Sequence, residues 1–135
     1  MTNRRLARES VVKMLYQAGI GGDELAEVRR NYWSVRFPPV EAREYADRLL
    51  GLVGGRDAEI DELLTGCLEN YRLERLGLVE RSLLRCATAE LLLGETPPRV
   101  VLDEAVEIAR DYAGDEAAGF VNGVLDRLAR KLELL

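Results

Sequence analysis

An all-α fold is predicted by three observations. No segment sustains the alternation of apolar and polar residues that a half-buried strand needs. Leu, Ala, Glu and Arg, all good helix formers, dominate the 135 residues, and aromatics make up only 6%. Glycine and proline fall where they cut the chain into about seven pieces of helical length. The length suits one domain, 1–135, with approximate halves 1–70 and 71–135.

The first helix is expected from Asn3 to Ala18, with Gly19 as its stop. Gly21-Gly22 makes a loop, and Asp23 can cap a second helix running to about Trp33. Phe37-Pro38-Pro39 breaks the chain again and opens a third helix. Tyr45, Leu49, Leu52 and Val53 form its apolar edge up to Gly54-Gly55. Asp57 begins a fourth, with Ile60, Leu63, Leu64, Cys67 and Leu68 inward. The stretch from Asn70 to Gly77 has no clear pattern. From Val79 to Leu93, apolar residues cover nearly every side, which marks a central helix surrounded by others. Gly94 and Pro97-Pro98 end it. Val101, Leu102, Ala105, Val106, Ile108, Ala109 and Tyr112 define the next stripe, closed by a turn at Gly114-Asp115. Val121, Val124, Leu125, Leu128 and Leu132 define the last.

Charge is unevenly distributed. Residues 1–13 hold Arg4, Arg5, Arg8 and Lys13 against Glu9, a balance of +3, which leaves −8 for the rest of a chain with net charge −5. At about 100° per residue, Leu6, Ser10, Val11, Met14, Leu15 and Ala18 share the inward side of the first helix. Arg5, Arg8, Glu9, Val12 and Tyr16 stand roughly opposite. Arginines mixed with an aromatic suit a surface that grips phosphates and stacks a base. The plainer alternative is a solvated first helix.

Most catalytic chemistry is excluded. The chain has no histidine, so Ser-His-Asp triads and histidine metal ligation are absent. Two isolated cysteines, Cys67 and Cys86, cannot build a four-cysteine zinc site and read as buried thiols in a reducing compartment. The glycine clusters lack the Lys-Ser/Thr of a phosphate-binding loop. Asp57, Glu59 and Asp61 imitate the start of a calcium loop, but Glu62 and Leu68 stand where Gly and Glu are required. Glu104 and Glu107 read as a solvated face rather than an acid–base pair. No enzyme activity, metal or cofactor is expected. With neither a bilayer-length apolar run nor a secretory leader, a cytoplasmic location without membrane association is expected.

Several segments together resemble the NusB family of transcription antitermination factors. They are Arg4-Arg5-Leu6-Ala7-Arg8 through Leu15-Tyr16; Leu76 to Leu92, including Val79-Glu80-Arg81 and Leu84-Arg85-Cys86-Ala87; Pro98 through Asp103-Glu104-Ala105-Val106-Glu107-Ile108-Ala109; and Phe120-Val121-Asn122-Gly123-Val124-Leu125-Asp126. They stand in family order and spacing from end to end. Asp103 replaces a common Asn, Ala89 a usual Tyr, and Leu6 interrupts a basic cluster thinner than in arginine-rich members.

The resemblance implies an all-α NusB-like bundle of two three-helix halves plus an extra helix. It implies a non-enzymatic factor that binds boxA-type RNA with the ribosomal protein NusE, within the RNA polymerase antitermination complex, notably on ribosomal RNA operons. Arg4, Arg5 and Arg8 match the family's arginine-rich RNA-contacting motif, and Tyr16 matches an aromatic on the same face. Glu116 and Phe120 match the last inter-helix turn near the RNA. Three phosphate contacts by the arginine cluster would give a salt slope of about −2. Joint replacement of Arg5 and Arg8 by alanine is expected to weaken RNA binding with helicity intact. The alternatives are a homodimeric helical adapter and, ranked lower, the RNA-binding domain of a ribosomal RNA methyltransferase, whose cofactor domain should follow and does not by Leu135.

Overall fold

The computed structural model describes residues 1–70 and 72–135. Among them it has seven α-helices and no strand: α1 (Asn3–Gly21), α2 (Leu25–Ser34), α3 (Val40–Gly55), α4 (Asp57–Thr65), α5 (Leu78–Leu93), α6 (Pro98–Ala113) and α7 (Asp115–Lys131). A single 3₁₀ turn, Leu73–Arg75, lies in the stretch without a clear pattern. Residue 71 of that stretch lies outside the described residues.

The all-α expectation holds, with local corrections. Helix α1 passes Gly19 and stops only at Gly22, whose φ of 67° and N–H bond to the Ala18 carbonyl make the left-handed cap. Gly19 stays helical beside Leu78, where a Cβ would lie 2.9 Å from Leu78 Cδ2. Asp23 does not cap α2; Glu24 occupies that position, without a side-chain hydrogen bond. Pro39 sits at the N-cap of α3 and Pro98 in the first turn of α6, positions where a missing N–H does no harm. Helix α4 ends at Thr65, so Cys67 is buried beyond it.

Helix α5 is central, packing on α1, α3, α4, α6 and α7. Leu83, Leu84, Cys86, Ala87, Ala89 and Leu91 are buried along it. Helix α1 is a second hub, touching α2, α3 and α5. Buried residues from every helix join one apolar cluster, within which Met14, Leu49, Ile60, Leu84, Leu102 and Leu125 are fully enclosed. Truncating any such leucine to alanine costs roughly 2–5 kcal/mol through lost transfer energy and the cavity left behind. Both cysteines are buried and unpaired.

Candidate nucleic-acid interface

The arginines of α1 do not form an exposed cationic face. Arg8, expected opposite the core, is buried with its side chain 5% exposed, because α1 has neighbours on several sides. Its Nε and Nη2 each donate to a Glu90 carboxylate oxygen at 2.7 Å, and the Glu90 side chain is 1% exposed. Burial works against the Arg8 charge, but Glu90 outweighs it and raises the guanidinium's pKa. Val12, also expected outside, is buried too.

Glu90 anchors a chain of polar groups. The Tyr45 hydroxyl donates to Glu90 at 2.7 Å and pairs with the Thr96 hydroxyl at 2.9 Å. Arg4 Nη1 donates to Thr96 Oγ1 at 2.7 Å and to the Glu95 carbonyl at 2.9 Å, with its guanidinium 4.7 Å from the Tyr45 ring centre. Burial, joined by the Glu90 bond, pushes the Tyr45 phenol up to about 12. The network ties α1 to α3, α5 and the α5–α6 connection. Arg4 therefore faces the α3 side, away from Tyr16.

Arg5 is enclosed by acids. Its Nε donates to Glu9 at 2.8 Å, Nη1 to Glu104 at 3.0 Å and Glu107 at 3.3 Å, and Nη2 to Asp111 at 3.0 Å. Only 17% of the side chain is exposed. With four carboxylates around one cation, the local balance is negative, which repels phosphate.

Tyr16, Glu116 and Phe120 are brought onto a different face. Tyr16 is 38% exposed and opens onto a cavity of about 480 Å³, which Lys13, Tyr32, Arg36, Val79 and Tyr112 also line. Glu116 and Phe120 line a second cavity of about 380 Å³ with Arg75, Gly77, Glu80 and Ala113. The cavities adjoin, since Val79 and Tyr112 line the first while their chain neighbours Glu80 and Ala113 line the second. Phe120 is half-buried against the core, and Glu116 is exposed in the first turn of α7.

Tyr112 is the residue that sequence reasoning misplaced. It continues the apolar stripe of α6, yet the residue is 38% exposed. Its hydroxyl donates to Glu9 Oε1, and burial together with that bond raises the phenol's pKa. Burial opposes the Glu9 charge, but the Tyr112 hydroxyl and Arg5 outweigh it and hold the carboxyl below its usual value. The position of Tyr112 in the last turn before Gly114, where a stripe leaves its partner helices, was the available signal. No group of three or more potential metal-binding side chains occurs among the described residues. No helix among them is long and apolar enough to cross a membrane.

Comparison with known proteins agrees with this architecture. The sequence profile of the NusB family matches residues 5–130. A transcription antitermination protein NusB from Sorangium cellulosum is 39% identical over 98% of this chain and 95% of its own. Among solved structures, NusB of T. maritima superposes with a TM-score of 0.86 at 35% identity, covering 97% of this chain and 92% of that one. A NusB crystallised with NusE and double-stranded RNA superposes at 0.88 and 31% identity, covering 97% and 98%. A family profile that matches residues 5–130 and relatives similar over almost the whole length make this chain a member of the NusB family.

Proposed function

We propose that this chain is a non-enzymatic transcription antitermination factor. It binds boxA-type single-stranded RNA together with the ribosomal protein NusE and helps RNA polymerase read through terminators. Ribosomal RNA operons are its principal setting, and the cytoplasm its location. Family membership supports the activity, and the structure of a family member with NusE and RNA supports the partners. The observation that carries the interface is the continuous face from Tyr16 to Phe120, two adjoining cavities with exposed aromatic surface and cations at their edges.

On this reading Tyr16, Glu116 and Phe120 meet the RNA. Arg5 and Arg8 act from behind, clamping α1 to α6 and α5, and Arg4 secures the far end of α1. Lys13, Arg36 and Arg75 replace the arginine cluster as phosphate contacts, since all three are exposed at the cavity walls. Three such contacts on a single strand give a slope of log K against log salt of about −2. Binding of fluorescent boxA-type RNA, titrated over salt with and without NusE, tests the reading. Tighter binding with NusE and that slope support it; no binding at low salt with NusE present refutes it.

A further inference from the structure

The corner where α2 meets α3 departs from the acidic character of the chain. Residues 28–43 hold Arg29, Arg30, Arg36 and Arg43 against Glu41, a balance of +3 in a chain of net charge −5. Arg29, Arg30 and Arg43 line a groove of about 390 Å³ with Ala26, Trp33 and Ser34, and no carboxylate lines it. One acid stands behind the groove. Asp47 accepts two hydrogen bonds from Arg29 at 2.8 and 2.9 Å and one from Trp33 Nε1 at 3.0 Å, and lies 3.8 Å from Arg43. A single carboxylate does not balance three guanidinium groups, so this groove attracts anions where the acids around Arg5 repel them. The rim is apolar. Val35 directly follows Ser34, Val40 stands one turn before Arg43 on the same side of α3, and both are exposed. Phe37, between them in the chain, is 88% exposed. The corner is also stiff. Pro38 and Pro39 fix the backbone, and the Arg36 guanidinium lies 3.9 Å from the Tyr32 ring centre while donating to the Tyr32 carbonyl at 3.3 Å.

We propose that this corner docks an acidic, amphipathic segment of a protein partner, its carboxylates on Arg30 and Arg43 and its apolar side chains against Val35, Phe37 and Val40. The inference goes beyond the RNA-binding reading and uses another side of α2. Tyr32 of that helix lines the first cavity, whereas Arg29, Arg30 and Trp33 line this groove. The chemistry of the rim selects a protein segment over RNA. Two valines and a pair of prolines have no π-face for a base, and Trp33 is buried. Paired carboxylates and apolar contacts are what an amphipathic segment supplies. A symmetric pair of copies would instead set one positive corner against another. Exposed apolar side chains grouped within a polar rim mark an interaction site, and a stiff corner loses little freedom on binding.

The test is a titration of the isotope-labelled full chain, followed by its amide NMR shifts, with a synthetic peptide bearing glutamates on one face and leucines on the other. Control peptides carry lysine for glutamate or serine for leucine. The glutamate–leucine peptide should shift the amides of Arg30, Ser34, Phe37 and Arg43 to saturation. The lysine peptide should leave them unmoved, and the serine peptide should bind about fivefold more weakly. Arg30→Glu changes an exposed position outside the Asp47 cluster. Combined with Arg43→Glu, it should weaken the peptide about tenfold, with circular dichroism showing an intact fold. Added salt should act in the same direction. In a complex assembled from RNA polymerase, NusE and boxA-type RNA, a photoreactive p-benzoylphenylalanine at position 37 should cross-link to an acidic protein segment, and the charge reversals should remove that product. The proposal is overturned by shifts confined to other surfaces, by equal binding of the lysine peptide, or by binding indifferent to the charge reversals. Cross-links to RNA, to a second copy or to nothing overturn it too. RNA binding with NusE should be unchanged in the charge-reversed variants, so the functional reading stands or falls separately; loss of that binding would make the corner part of the RNA interface and end the proposal.

Discussion

Arg8 and Glu90 hold each other in the interior through two hydrogen bonds, and neither has water to fall back on. Removing one strands a buried charge, so Arg8→Ala should destabilise the fold by about 3–5 kcal/mol. Because Arg8 is part of this buried pair, the joint Arg5 and Arg8 alanine variant should lose stability as well as RNA binding. Pairing Arg8→Met with Glu90→Leu should recover most of the loss, read as the urea unfolding midpoint. The sequence concealed this pair because its members lie 82 positions apart and local periodicity sees only one helix at a time. Glu9 adds a pH effect of known sign. Its carboxyl is held below the ordinary 4.5. It therefore contributes stability above that value and loses it as acid carries the pH through the depressed folded pKa. The stability gap between wild type and Glu9→Gln should be constant near neutrality and narrow below pH 4.5.

Helix identities followed from apolar spacing, whereas helix ends depended on contacts that spacing cannot report. Gly19 looked like a stop and is interior, because Leu78 from a distant helix fills the space beside it. Gly94 looked like a stop and is one, with φ of 73° at the end of α5. A Cβ there would touch nothing within 4 Å, so Gly94→Ala should cost about 1 kcal/mol through backbone conformation alone. Gly51 offers the opposite case. It is exposed inside α3 and equally free of contacts, so alanine there should stabilise by about 1 kcal/mol. Thermal melts of the two variants should shift in opposite directions. Tyr112 shows the same limit for the site, since its stripe was legible but its emergence beyond the neighbouring helices was not.

Across the whole molecule, the basic amino-terminal segment is folded into carboxylates contributed by α5 and α6. At the two cavities the exposed cations are Lys13, at the end of that segment, with Arg36 and Arg75. Each of these changed to alanine should make the RNA salt slope shallower by about 0.7. Arg4→Lys should leave the slope unchanged, because Arg4 faces Glu95 and Thr96 on the other side. Salt titrations of the single variants separate the two sets. The family resemblance singles out Tyr16, Glu116 and Phe120, which the fold places on one face, whereas the position of Arg36 beside Tyr16 depends on how α2 docks on α1, which local spacing cannot report.

Cys86 lies on the most enclosed helix, its sulfur 4.0 Å from the Arg8 carbonyl and its thiol pushed upward by burial. An alkylating reagent can reach it only when α5 parts from α1, an event that dissolves most of the bundle. The rate at which that sulfur is modified in unperturbed protein thus counts excursions to the open chain, with no engineered label. RNA that binds the folded form alone should make those excursions rarer and lengthen the modification time in proportion to its occupancy.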